Sequence, residues 1–123
     1  MDTDYRIATK AVHSDHPFLV DCWIFCRVEG QENAPFMEVS APDADNALEA
    51  EYYGLLSALS RLIESCGDSV REHSLEIIPK STDIGRQLIN RHTIDSLTLY
   101  HLREKVFELM SKFKFVFIGW QEP

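Results

Sequence analysis

Apolar and polar positions alternate along the first third of the chain, and then the period changes. "YRIATKAV" (Tyr5 to Val12) predicts a first strand, ended by the polar turn "HSDH" (His13 to His16). "FLVDCWIFCRVEG" predicts a second, with Val20, Cys22, Ile24, Cys26 and Val28 on one face and Trp23 and Phe25 on the other. Apolar content on both faces is the mark of a central strand. "GQENAP" reads as a hairpin connection to a short third strand, "FMEVS", which completes an antiparallel meander. From "NALEAEYYGLLSALSRLIES" onward the spacing is helical: Tyr52, Leu55, Leu56, Leu59 and Ile63 form one stripe. Asn46 is placed to cap this helix, and Glu49, three places on, is placed to reach back to the cap. Glu49 therefore has a structural role. Glu51 has none of that kind; at about 100° per residue it borders the stripe on the Leu55 and Leu62 side.

Gly67 marks the helix end, and "SLEIIP" predicts a fourth strand. "STDIGRQLIN" supplies Ser81, Thr82 and Asp83 as cap candidates for a short helix. "IDSLTLYHLREKVFELMSKF" predicts a longer helix, and "KFVFIGW" a fifth strand. The order β-β-β-α-β-α-α-β defines an α/β architecture with a mixed five-stranded sheet. Residues 1–123, 45% hydrophobic, fit one domain with a single core.

Composition narrows the classes. No run approaches the roughly 20 apolar residues a membrane span requires. "MDTDYRIATK" lacks the basic-then-apolar order of a secretory signal, so the expectation is a cytoplasmic protein with no membrane partner. A net charge of -8 disfavours a broad electrostatic footprint for nucleic acid and leaves room only for a local basic groove. Cys22 and Cys26 lie about 13 Å apart along a strand, too far for a disulfide or a shared zinc ion, and read as core residues. Five scattered glycines build no phosphate-cradling loop, no nucleophile-elbow pattern is present, and Cys66 sits in a helix-end loop.

Three words in this order carry a resemblance. "LEAEYYGLLSALSRLIE", "LEIIPKSTDIGRQLIN" with Gln87-Leu88 in register, and "LREKVFELMSKFKFVFIGWQ" are similar to the first helix, the fourth strand with its following helix, and the last helix with the fifth strand of the ribonuclease H-like superfamily. The resemblance spans nearly the whole chain and implies the ribonuclease H-like fold. It also implies chemistry at four acidic positions that hold two Mg²⁺ ions around a scissile phosphate. Carried onto this chain, the first acidic position falls at Lys10 or its neighbour Thr9, the second at Glu51, and the third at Lys80. The fourth, in a helix after the fifth strand, has no equivalent.

One acid cannot hold two divalent cations, and an ammonium group repels a metal ion and donates where an acceptor is required. The expectation is a degenerate site at a vestigial Glu51, with no cofactor; Mg²⁺ enters only if Asp83 or Asp21 joins Glu51 in a rearranged site. With strands one and four adjacent, as the resemblance implies, Lys10 and Lys80 either replace the cations electrostatically around Glu51 or are solvated strand-end residues. The leading functional class is an interaction or scaffold module that binds a protein partner or itself, with Phe117 and Trp120 as candidate exposed aromatics. The alternative is a non-cleaving nucleic-acid binder using Lys10, Lys80, Arg86, Arg91 and the "KFK" at 112–114.

Overall fold

A computed structural model describes residues 3–15, 17–27, 36–90 and 94–120. Strands β1 (Tyr5–His13), β2 (Phe18–Cys26) and β3 (Met37–Ala41) precede helix α1 (Ala47–Cys66) and a 3₁₀ segment (Gly67–Glu72). Strand β4 (Ser74–Ile78), helices α2 (Thr82–Asn90) and α3 (Leu97–Met110), and strand β5 (Phe115–Ile118) follow. The expected order of elements is the observed one. The hairpin connection "GQENAP", Val28, His16 and Arg91 lie outside the described residues.

The sheet order is β3-β2-β1-β4-β5. The meander pairs antiparallel, whereas β4 pairs parallel to both β1 and β5. A parallel neighbour cannot be reached by a tight turn, and α1 supplies the long crossover from the meander to β4.

One face of the sheet carries the core. Tyr5, Ile7, Val20, Cys22, Ile24, Leu75 and Ile77 are buried there beneath α1. Burial pushes the Cys22 thiol pKa up, as its core position requires. A bulge interrupts β1: Thr9 pairs with Cys22 and Ala11 with Asp21, leaving Lys10 as the extra residue. Odd residues face α1 before the bulge. After it Val12, paired with Val20, takes that side.

Helix α1 begins as its sequence requires. The Asn46 side chain accepts the Glu49 N–H at 2.9 Å, and Glu49 accepts the Asp45 N–H at 3.1 Å, one residue beyond the cap itself. Gly67, at φ 61°, closes the helix by donating its N–H to Ile63. The buried face is rotated from the predicted stripe: Glu51, Leu55, Ala58 and Leu62 lie at its centre, while Leu56 and Ile63 are only half-buried. Small residues are the reason. Ala50, Gly54 and Ala58 let the helix sit close on the sheet, and a Cβ at Gly54 would come within 2.5 Å of Val20 Cγ1.

Candidate functional site

The rotation of α1 brings Glu51 inward, where it is 3% exposed. Thr9, the last β1 residue before the bulge, is 1% exposed and donates its hydroxyl to Glu51 Oε2 at 2.5 Å. The chain leaving β4 supplies the other donors. The Lys80 N–H reaches Glu51 Oε2 at 2.7 Å and Thr9 Oγ1 at 2.9 Å. The Ser81 N–H is shared between Glu51 Oε1 at 3.2 Å and Oε2 at 3.3 Å.

These donors belong to the start of α2. The Ser81 hydroxyl accepts the Asp83 N–H at 3.1 Å, capping the helix, and the N–H groups just before the first turn point at the carboxylate. A helix N-terminus concentrates positive partial charge, so an anion belongs there. In this chain Glu51 is that anion. The next α1 residue extends the tie, with the Tyr52 hydroxyl donating to Gln87 Oε1 on α2 at 2.6 Å. Burial raises the Tyr52 pKa, which keeps that hydroxyl a donor.

The structure places the sequence candidates as follows. Glu51 is at the centre. Of the two readings for β1, Thr9 faces Glu51 and Lys10, displaced by the bulge, is exposed. Lys80 meets Glu51 through its backbone N–H, while its side chain is exposed. No ion pair joins Lys10 or Lys80 to Glu51 among the described residues, and both side chains are exposed, as the solvated strand-end reading has them. Arg86 is exposed on α2, and Arg91 lies outside the described residues.

Neither extra carboxylate joins the site. Asp21 faces the other side of the sheet, where it pairs with His13 at 2.9 Å. Asp83 is exposed in the first turn of α2. Among the described residues no group of three or more His, Cys, Asp or Glu side chains could hold a metal ion. The donor set does not fit a divalent cation either. Thr9 and the two N–H groups direct hydrogens into the site, and Oε2 already accepts three of them.

The Lys80 and Ser81 N–H groups are contributors that side-chain identities do not reveal. Ser81 ahead of a helix was the available signal, because a capped N-terminus presents main-chain N–H groups.

The same fold occurs in solved ribonuclease H structures. The N-terminal RNase H domain of rv2228c from Mycobacterium tuberculosis, solved as a fusion with maltose-binding protein, is similar at TM-score 0.75 and 16% identity, over 98% of this chain and 83% of that one. RNase H1 from the halophilic archaeon Halobacterium salinarum is similar at TM-score 0.71 and 18% identity, over 95% and 83%. LC11-RNase H1, solved in complex with an RNA/DNA hybrid, is similar at TM-score 0.75 and 18% identity, over 95% and 84%. No family model matches the chain, and no curated protein matches it in sequence. The chain thus has the ribonuclease H-like fold. No helix among the described residues is long and apolar enough to cross a membrane.

Proposed function

We propose that this chain is a single, non-hydrolytic ribonuclease H-like domain that acts as a protein-interaction or scaffold module in the cytoplasm. One observation carries the reading: the donors that converge on Glu51 are a hydroxyl and two backbone N–H groups, where hydrolysis would need oxygen ligands for Mg²⁺. Glu51 then serves as a fastener among β1, α1 and the start of α2. The site requires no cofactor, and the fold is retained for its surfaces.

The test is incubation of an RNA–DNA hybrid with the purified protein and Mg²⁺ or Mn²⁺. The expected result is an intact hybrid. Metal-dependent cleavage that disappears in Glu51→Gln would overturn the proposal.

A second reading, hybrid or duplex binding without cleavage, draws on the exposed Lys10, Lys80 and Arg86, and on Arg91. LC11-RNase H1 has been solved with such a hybrid. Gel-shift titration distinguishes it, since phosphate-mediated binding weakens steeply with salt. Binding that survives moderate salt unchanged, or no binding at low salt, would leave the protein-interaction reading alone.

A further inference from the structure

The sheet face opposite α1 is not covered by a helix among the described residues. Arg6, Ala8, Trp23, Phe25, Glu76, Ile78, Phe115 and Phe117 occupy it by strand alternation. Phe25 is 38% exposed and Phe117 37%, with Phe115 and, beside the sheet, Phe36 more exposed still. Trp23 stacks on Phe25 at 5.9 Å between ring centroids and meets Phe36 edge-on at 5.7 Å. Exposed apolar area of this kind on a soluble domain marks a contact surface.

The order of residues across that face says what fits it. The register aligns Phe25 with Arg6, Arg6 with Glu76, and Glu76 with Phe117. Read across four strands, the row is aromatic, cation, anion, aromatic. The neighbouring row aligns Trp23 with Ala8 and Ala8 with Ile78. Gly119 ends it, its N–H bonded to Ile77 O, and the place its Cβ would take is bordered by Glu76 Oε2 at 2.7 Å and Ile78 Cγ1 at 3.1 Å. That row is large, small, large, absent.

A two-fold axis in the plane of contact, running along the strands between β1 and β4, exchanges the two ends of each row. Arg6 then lies over the partner's Glu76, and Phe25 over the partner's Phe117. In the second row Trp23 lies over the partner's Gly119, and Ile78 over the partner's Ala8. Opposite charges and aromatic rings meet in the first row, and large residues meet small ones in the second, as an isologous interface demands. The strands of the two sheets remain aligned, the ordinary geometry of stacked sheets.

From this complementarity we propose that the open sheet face binds a second copy of this chain, giving a face-to-face dimer centred on Arg6 and Glu76. The proposal rests on the interaction-module reading and names the partner. In one copy Arg6 Nε and Glu76 Oε1 pair at 2.9 Å with both side chains partly exposed, so each retains capacity for a second partner.

Sedimentation and light scattering at about 0.15 M ionic strength, where the Debye length is about 8 Å, provide the test. Wild type is expected to sediment as two chains at tens of micromolar. Arg6→Glu sets glutamate over glutamate, and Glu76→Arg sets arginine over arginine, so each variant alone should be monomeric. Mixed one to one, the two variants restore both opposite-charge contacts and should dimerise again, which mere misfolding of either would prevent. Trp23→Ser, which leaves the charges untouched, should weaken dimerisation at least tenfold.

A monomeric wild type would overturn the proposal. So would dimers that persist in each charge variant, or folded variants that remain monomeric when mixed. A monomeric wild type that also leaves the hybrid uncut removes the dimer and leaves the interaction-module reading in place, pointing to a different protein on this face. Cleavage of the hybrid removes that reading itself.

Discussion

The Thr9 hydroxyl donates to Glu51 at 2.5 Å and accepts the Lys80 N–H at 2.9 Å, so one small side chain joins β1, α1 and the exit of β4. Thr9→Val keeps the shape and removes that donor from a buried carboxylate. A hydrogen bond to a charged group contributes about 1.5–3 kcal/mol, and that is the expected loss. Thr9→Ser keeps the hydroxyl and should cost only about 0.8 kcal/mol for the missing methyl. Urea unfolding with an unchanged slope checks both. A larger loss in Thr9→Ser than in Thr9→Val would show that the methyl, not the hydrogen bond, matters more.

Metal dependence separates this arrangement from a cation site. The donors around Glu51 leave Mg²⁺ or Mn²⁺ no suitable set of ligands in the wild type, so neither ion should raise its Tm. Thr9→Asp would place a second carboxylate against Glu51, destabilising the fold in EDTA through like-charge repulsion. The same pair would attract a divalent ion, and stabilisation should reach about 2.7 kcal/mol at 100 times Kd. Melting curves with and without metal decide it. An equal upward shift in wild type would contradict the role given to Thr9.

Much of this was legible in the sequence, and the misreadings have physical causes. Asn46, Glu49 and the order of elements along the chain follow from periodicity and capping rules, because those depend on local spacing, whereas Glu51 stands out only through the family resemblance. The resemblance leaves Lys10 and Thr9 both open for the β1 position; strand alternation puts Thr9 on the buried side with Tyr5 and Ile7, and Lys10 is the extra residue of a bulge that leaves no trace in composition. Lys80 was read through its ammonium group, whereas its backbone N–H reaches the site. Side-chain identity carries no information about main-chain donors. The rotation of α1 came from Gly54 and its alanine neighbours, whose missing bulk an apolar-stripe count does not weigh.

The acid limb of stability should depend on Asp4. Its carboxylate accepts the Ser74 N–H at 3.0 Å and pairs with His73 Nδ1 at 3.2 Å, joining the starts of β1 and β4. The Ser74 backbone hydrogen bond is the main cause that holds its pKa below the ordinary 3.8, with His73 adding to it. The folded value is the lower one, so the contribution is complete above 3.8 and is lost as pH falls through the folded pKa. Asp4→Asn should therefore lose less stability than wild type between about pH 4 and pH 2. Superimposable acid limbs would remove the pair from the account.

His13 makes the opposite contribution. Its hydrogen bond to Asp21 is the main cause that raises its pKa above the ordinary 6.5. That contribution is complete below 6.5 and is lost as pH rises through the folded value. His13→Gln should remove a small downward slope in stability on going from about pH 6 to pH 8. NMR titration of the imidazole gives the independent check, and a value at or below the ordinary one would sink the pairing.

The depth at which α1 sits should be measurable at Gly54. A Cβ there would lie 2.5 Å from Val20 Cγ1 and 2.9 Å from Val20 Cβ. Val20 is β-branched and fully buried, so it cannot turn aside without strain. Gly54→Ala should gain about 1 kcal/mol of helix propensity and lose about 1–3 kcal/mol to overpacking. The expected net effect is a loss, unusual for Gly→Ala inside a helix. Val20→Ala alone leaves a cavity and destabilises, but in the Gly54→Ala background it supplies the space the new methyl needs. The two changes should therefore be less than additive, with a coupling of about 1 kcal/mol or more in a double-mutant cycle. Additive losses would mean that the helix shifts freely away from β2. Such a helix could not hold Glu51 against Thr9, so the same cycle also tests the rigidity on which the Glu51 site depends.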